Sequence, residues 1–264
     1  MQNFSLINLI KSLKNYHNIK VILKKIYVRL FGVKNNENIE NYLNFLEENA
    51  EDYDQFFSKI HPNLWTESKE VSKKINDHSK KILENIKFDL GGGGSVEVVY
   101  FLTRLTKPKN IIETGVAAGF TSFAFFEAIK KNNMGKLYSS DFPYFRLPNP
   151  EKFIGIIIPN ELKINWNLFI KGDENNILEI KKKINSVDLI HYDSDKTYSG
   201  RKHFMELVSD LVHRQTFLIM DDLHDNSFFL DYVNNNKELN WKILNVKKGF
   251  IGLIYPDTFN TYLK

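Results

Sequence analysis

The sequence predicts an α/β protein with a mostly parallel, Rossmann-like sheet, an antiparallel last strand and an N-terminal helical cap. From about residue 90, short apolar runs alternate with amphipathic helical segments, as in a parallel sheet with helical crossovers. One of these runs passes directly into a glycine-containing turn and a helix. Two final apolar runs, 240–246 and 250–255, are joined by the short turn Lys247-Lys248-Gly249, which predicts an antiparallel hairpin.

Composition limits the class of protein. The 264 residues are 42% hydrophobic and 26% charged, which is typical of a globular chain. The absence of cysteine excludes disulfides, thiolate metal sites and cysteine nucleophiles. No apolar run approaches the ~18 residues that a membrane-spanning helix needs, and no signal peptide is apparent. We therefore expect a cytoplasmic protein with a helical arm and cap over 1–88 and a ligand-binding domain over 89–264.

The basic charge is concentrated at the N-terminus. Residues 1–36 carry seven Lys and Arg and no acid, whereas the rest of the chain carries 29 bases and 32 acids. Apolar spacing over 4–31 predicts a basic amphipathic helix, which suits an anionic membrane surface. Packing on its own domain, or on the second subunit of a homodimer, is the favoured alternative. Nucleic acid is disfavoured because the remaining 228 residues are slightly acidic.

The central motif is the stretch 110–122, NIIETGVAAGFTS. Its apolar pair runs into Glu113, and Gly115 and Gly119 then form a turn before a predicted helix at 121–131. Such a turn and helix N-terminus suit a nucleotide-like cofactor. The dinucleotide pattern G-x-G-x-x-G is broken because Ala117 stands at the second glycine, so NAD is disfavoured. A strand–turn–helix without a ligand is the alternative.

Acids follow the next two predicted strands. Lys136–Ser140 ends in Asp141, where nucleotide-binding α/β folds accept hydrogen bonds from ribose hydroxyls. Trp166–Ile170 precedes Gly172-Asp173, and Asp173 is placed to meet an adenine amino group. A helix cap or surface turn is the alternative for each acid.

Two loops border the predicted site. Gly91–Gly94 is either a hinge or a loop that closes over the cofactor, and Ser95 after it is a candidate helix cap. The segment 142–166 holds four of the seven prolines and predicts a lid or substrate wall.

A second polar cluster follows the predicted strands 187–190 and 217–220. Asp193 lies in the stretch VDLIHYDSDKTYSG, and Asp221 and Asp222 lie in QTFLIMDDLHDN. Carboxyl ends of parallel strands share one edge of a sheet, so these acids should converge with the glycine turn. Converging carboxylates favour a hard divalent cation, Mg²⁺ before Mn²⁺ or Ca²⁺. Helix-capping acids without metal are the alternative.

Taken in this order, the stretches resemble class I S-adenosylmethionine-dependent methyltransferases, especially the group called methyltransferase family 24. The resemblance covers about residues 90–256, including ETGVAAGFTS, IGIIIPNELKINWNLFIKGD, DLIHYDSDKTY and MDDLHDN. The terminal hairpin is the ending expected of a methyltransferase core. The stretch DSDK is also similar to the DADK of cation-dependent O-methyltransferases. The resemblance makes 89–264 an S-adenosylmethionine-binding domain, while 1–88 resembles no family.

The resemblance implies roles for individual residues. Residues implied to border the cofactor are Glu113, Gly115, Ala117, Gly119, Ser122, Asp141, Asp173 and Asp193. Those implied to hold a metal are Asp193, Asp221 and Asp222. Lys196 is implied as the base, with His224 in reserve, and Tyr198 either orients the substrate or packs.

The expected reaction is methylation of a hydroxyl on a small molecule or a glycan sugar. Two alternatives stay open at this stage, since a fold does not fix a function. One is a non-catalytic membrane-surface or partner-binding protein on the same fold. The other is a hydroxylase-like relative.

Overall fold

The computed structural model describes residues 19, 21–23, 39–144, 147–164, 166–247 and 249–263. The strands are β1 (Ala50–Asp52), β2 (Asn110–Thr114), β3 (Lys136–Ser140), β4 (Asn167–Phe169), β5 (Leu189–Tyr192), β6 (Phe217–Met220), β7 (Asn240–Val246) and β8 (Gly249–Tyr255). The helices after residue 38 are α1 (Ile39–Asn49), α2 (Tyr53–Ile60), α3 (Pro62–Leu83), α4 (Val96–Thr106), α5 (Phe120–Asn132), α6 (Asp173–Lys181), α7 (Tyr198–Val208) and α8 (Phe228–Asn235).

The strands form one eight-stranded sheet in the order β1-β7-β8-β6-β5-β2-β3-β4. Only the pairs that β8 makes with β6 and β7 are antiparallel, and the other five pairs are parallel. The predicted mostly parallel sheet with an antiparallel last strand is confirmed. Because β2 to β6 run in one direction, their carboxyl ends share one edge of the sheet.

Both faces of the sheet are covered by helices, so its central strands are apolar on both sides. Ile111 faces the core layer formed with α2, α3, α4 and α5. Ile112, its neighbour in β2, faces the layer formed with α1, α6, α7 and α8. The same alternation divides Leu189 and Ile190 of β5 between the two layers. This explains the continuous apolar runs seen in the sequence.

The predicted all-helical segment 1–88 is wrong at β1. These three residues pair in parallel with β7 through Ile243, Leu244 and Asn245, so they extend the edge of the sheet. Helix α3 also belongs to the main core, because Trp65 stacks on Phe57 and meets Phe101 of α4 edge-on.

Ion pairs strengthen the contact of α3 with α4 and α5. The Glu67 carboxylate accepts hydrogen bonds from Tyr100, Arg104 and Lys131. These bonds hold the pKa of Glu67 at about 2, although burial acts in the opposite direction.

Most of the predicted amphipathic arm over 4–31 lies outside the described residues. Residues 19 and 21–23 are helical, Ile22 is fully buried and Leu23 is 56% exposed. Val21 packs against the turn before α6, where its Cγ2 would lie 3.2 Å from a Cβ added at Gly172. None of the helices in the described part of the chain is both long and apolar enough to cross a bilayer.

Candidate active site

The glycine turn between β2 and α5 is tightly folded at the shared strand edge. Gly115 and Gly119 have φ of 81° and 101°. Ala117 also adopts a left-handed conformation, with φ of 50°, so it takes a conformation in which glycine is favoured. A Cβ at Gly115 would lie 2.1 Å from the carbonyl oxygen of Asp193, so only glycine lets the turn approach the end of β5.

Behind the turn, Glu113 and Ser122 lie in the protein interior. Both are fully buried, and Glu113 accepts hydrogen bonds from Thr121 at 2.6 Å, Ser122 at 2.6 Å and Ser139 at 2.7 Å. Their side chains therefore tie β2, β3 and α5 together underneath the turn. A direct contact of either side chain with a cofactor stays a prediction.

Asp141, at the end of β3, meets the glycine turn directly. Its Oδ2 accepts a hydrogen bond from the Ala117 amide at 2.9 Å, and its Oδ1 accepts one from Phe142 at 2.6 Å. Asp173 opens α6 and accepts hydrogen bonds from Ser140 of β3 and Ser194 after β5, both at 2.6 Å. The structure thus brings both predicted acids to the strand edge beside the turn.

The proline-rich segment 142–166 packs on the outside of the same turn. The Gly155 amide donates to the Ala117 carbonyl at 2.9 Å, and the Ile157 amide donates to the Ala118 carbonyl at 3.2 Å. Trp166 lies so close to Gly155 that a Cβ there would be 2.4 Å from its ring. Gly155, Ile157 and Trp166 therefore hold this part of the segment against the turn, and its role as a lid or substrate wall stays a prediction.

The ends of β5 and β6 bring the predicted acids together as an acid cluster, defined as Asp193, Asp221 and Asp222. Lys196 joins two of them, because its Nζ lies 3.0 Å from Asp193 Oδ1 and also contacts Asp222 Oδ2. Burial and the Asp221 carboxylate raise the pKa of Asp193.

Asp221 is the buried member of this cluster. Its Oδ1 accepts a hydrogen bond from Ser95 at 3.0 Å, and its Oδ2 lies 3.3 Å from His191 Nε2. Burial alone would lower the pKa of His191, but the carboxylates of Asp221, Asp193 and Glu113 together outweigh burial and raise that pKa to about 9. His191 was predicted to follow the strand, yet β5 extends two residues further than predicted and encloses the imidazole.

The glycine loop 91–94 lies over the acid cluster. A Cβ at Gly94 would lie 2.6 Å from Asp221 Oδ2 and 3.8 Å from Asp193 Oδ2, so the loop can approach this closely only as glycine. Ser95 occupies the N-cap position of α4 but makes no side-chain cap, because its hydroxyl donates to Asp221 instead. The predicted capping role of Ser95 is therefore wrong.

Arg201 supports the site from inside and was not predicted. This fully buried residue of α7 donates from one terminal nitrogen to the carbonyls of Asp221, at 2.9 Å, and Asp222, at 2.7 Å. Asp222 has a backbone φ of 54°, which is uncommon for a residue other than glycine. The guanidinium therefore fixes the turn that presents Asp222. A basic residue in an amphipathic helix is ordinarily expected to face solvent, so the sequence pattern gave no sign that Arg201 belongs to the site.

His224 and Tyr198 lie at the margin of the site. His224 packs beside the hairpin, with its Nδ1 3.0 Å from the position of a Cβ at Gly249, and its side chain is 42% exposed. Tyr198 begins α7, meets the ring of Phe228 edge-on and is 43% exposed, so its role in orienting the substrate stays a prediction. The reserve-base role of His224 stays a prediction.

The acid cluster does not match a metal site. Within the described ranges, no group of three or more His, Cys, Asp or Glu side chains is arranged to hold a metal ion. Asp221 is committed to Ser95 and His191, while Asp193 and Asp222 share Lys196. The predicted metal ligands are thus adjacent, but their oxygen atoms already face cationic or hydroxyl groups of the chain.

Solved structures of known proteins share this fold, at sequence identities that establish the fold alone. The O-methyltransferase TomG from Streptomyces achromogenes, involved in tomaymycin synthesis and solved in complex with SAM, superposes with a TM-score of 0.53 at 12% identity. The match covers 69% of this chain and 89% of TomG. The SAH-bound methyltransferase PaMTH1 from Podospora anserina superposes with a TM-score of 0.50 at 15% identity, and the match covers 85% of this chain and 98% of PaMTH1. A Geobacter sulfurreducens methyltransferase gives 0.50 at 14% identity, over 70% and 89%.

The fold is therefore that of the class I methyltransferases. The family 24 model, described as a methyltransferase domain, matches residues 112–223, which run from β2 to the turn after β6. The predicted resemblance to this family is confirmed over residues 112–223. No protein in the search of curated sequences matches the chain significantly. The similarity of DSDK to cation-dependent enzymes stays a prediction.

Proposed function

We propose that this protein transfers a methyl group from S-adenosylmethionine to a hydroxyl oxygen of a small molecule or sugar. The observation that supports this most is the convergence at one strand edge of the glycine turn, Asp141 and the acid cluster with Lys196. The family match and the fold supply the class of reaction. The relatives TomG and PaMTH1, which contain SAM and SAH, support the choice of cofactor.

The chain offers groups that fit this cofactor. At Ala117 and Gly119 the backbone is open to close approach by a ligand, and the N-terminus of α5 that follows favours a negatively charged group such as the carboxylate of the cofactor. Asp141, half-buried beside the Ala117 amide, would accept hydrogen bonds from ribose hydroxyls. Asp173 would lie on the adenine side in this arrangement, and Asp193 would also border the cofactor.

S-adenosylmethionine, when bound, supplies a methyl group on a positively charged sulfur that an oxygen nucleophile can attack. The residues of the chain have to orient the acceptor hydroxyl and take its proton. We assign Nζ of Lys196 to hydrogen-bond the acceptor oxygen as negative charge develops on it. The carboxylates of Asp193 and Asp222, both in contact with that ammonium, are the proton acceptors.

This assignment differs from the base role that the resemblance implies for Lys196. A Lys196→Arg variant keeps the positive charge but is a very poor base. If Lys196 acts as a cation, this variant should retain part of the kcat that Lys196→Met loses. If Lys196 is the base, the two variants should be equally inactive. The predicted Mg²⁺ takes no part in these steps, because the fit of the acid cluster to a metal is poor.

The first experiment is calorimetric titration with S-adenosylhomocysteine, with NAD as the control ligand. We expect micromolar binding of the former and none of NAD. Asp141→Ala should weaken binding about tenfold, roughly 1.4 kcal/mol, while Asp77→Ala, an exposed acid on α3, should not change it. Equal affinity in wild type and Asp141→Ala would refute the ribose role. No binding of S-adenosylhomocysteine to folded protein would refute the proposed function.

A further inference from the structure

The acid cluster is in contact with basic side chains of the protein itself, and these contacts bear on whether the proposed reaction needs a metal ion. Asp221, the innermost acid, is only 6% exposed and lies beneath the glycine loop. Its two oxygens face the Ser95 hydroxyl and the His191 imidazole, at 3.0 and 3.3 Å. A metal ion at Asp221 would therefore compete with a hydroxyl and an imidazole of the chain for these oxygens, in a place that the Gly94 backbone already approaches closely.

The outer two acids share a single ammonium. Lys196 Nζ bridges Asp193 Oδ1 and Asp222 Oδ2, and the lysine side chain is 41% exposed, so it faces the open side of the site. Asp222 is held in place by its backbone, since Arg201 binds its carbonyl. A positive group that bridges two carboxylates at this position offsets part of the negative charge that a divalent cation would otherwise neutralise.

We infer that the Lys196 ammonium takes the place of a divalent cation, so that this methyltransferase works without metal and accepts substrates with a lone hydroxyl. The second part follows from coordination chemistry and rests on the proposed function. A metal ion binds two adjacent oxygens of a substrate at once, whereas an ammonium donates separate hydrogen bonds and needs only one oxygen acceptor. Adjacent hydroxyls are therefore not required of the acceptor.

Metal binding tests the first part independently of activity. Mn²⁺ is titrated into the full-length protein and followed by electron paramagnetic resonance, with Lys202→Met, an exposed lysine on α7, as the matched control. We expect no saturable binding to wild type, Lys196→Arg or the control. Lys196→Met should gain Mn²⁺ binding. Adding Asp193→Asn to that variant should abolish the gained binding.

Two outcomes would overturn the inference. One is saturable Mn²⁺ binding to wild type that Asp193→Asn abolishes. The other is a folded Lys196→Met protein, verified by circular dichroism, that binds no Mn²⁺. Because these titrations need neither cofactor nor acceptor, they remain decisive if the proposed function fails in the S-adenosylhomocysteine titration.

Acceptor choice tests the second part. Matched phenols with one hydroxyl or two adjacent hydroxyls are compared in EDTA, using S-adenosylmethionine. We expect kcat/KM for the two classes to agree within about threefold, a difference below 1 kcal/mol. Turnover only of the adjacent pair, or only after Mg²⁺ is added, would overturn the inference.

Discussion

Replacing Glu113 with alanine would leave three buried hydroxyl groups without their common acceptor. These belong to Thr121, Ser122 and Ser139, and they donate to Glu113 at 2.6 to 2.7 Å. A hydrogen bond to a charged group contributes about 1.5–3 kcal/mol, so the three bonds sum to roughly 4.5–9 kcal/mol. The hydroxyls on α5 can turn towards helix carbonyls, which recovers part of this. We therefore expect a loss of about 4 kcal/mol, a large share of the 5–15 kcal/mol typical of a folded domain.

Urea unfolding followed by circular dichroism at neutral pH measures this loss. Glu113→Gln keeps the shape and should lose only about 1–2 kcal/mol, and Thr121→Val, which removes one donor, about 1 kcal/mol. An unchanged slope with urea would show that the folded and unfolded states are otherwise comparable. A loss below about 1 kcal/mol in Glu113→Ala would refute the reasoning. Glu113→Gln should keep its affinity for S-adenosylhomocysteine. A tenfold loss of that affinity would instead support a direct contact between Glu113 and the cofactor.

Three further predictions concern the surroundings of the site. Arg201→Met should cost about 2–3 kcal/mol in urea unfolding, because the carbonyls of Asp221 and Asp222 lose a charged donor; a neutral effect would contradict this. The ionised Glu67 stabilises the fold above pH 4.5, and this stabilisation fades as the pH falls towards 2. Between pH 6 and pH 3, the free energy of unfolding of the wild type should therefore fall by about 1–2 kcal/mol more than that of Glu67→Gln. Equal losses in the two proteins would contradict this. Val21→Asp should weaken S-adenosylhomocysteine binding in calorimetry, since Val21 packs on Gly172, next to the proposed adenine contact Asp173. Unchanged affinity would show that Val21 does not support the cofactor site.

Strands with strong local signals could be predicted from the sequence. The observed bounds of β3 and β6 agree with the predicted ones, since β6 is an apolar run that ends at an aspartate and β3 lies between Gly135 and Asp141. Helix α5 starts one residue before its predicted start and ends one residue after its predicted end. The meeting of Asp193, Asp221 and Asp222 could also be predicted, because parallel strands place their ends together.

Elements that depend on distant partners could not be predicted. β1 has only three residues, two of them acidic, and it is a strand because β7 pairs with it. His191 and Glu113 look like site residues in sequence, but their places are set by partners far along the chain, namely Asp221 and Ser139. The sequence pattern shows where a polar residue follows a strand. It does not show whether that residue faces a ligand or the core.

The contact between Trp166 and the core gives the protein an internal optical reporter. The indole donates to Ser139 at 2.9 Å, and Ser139 donates to Glu113 beneath the glycine turn. The chain has three tryptophans, and Trp65 and Trp241 lie in α3 and β7. Replacing those two with phenylalanine would leave one fluorophore whose emission follows the segment 142–166 and the turn as a unit. Ligand occupancy would then be readable from the unlabelled protein before any acceptor is known.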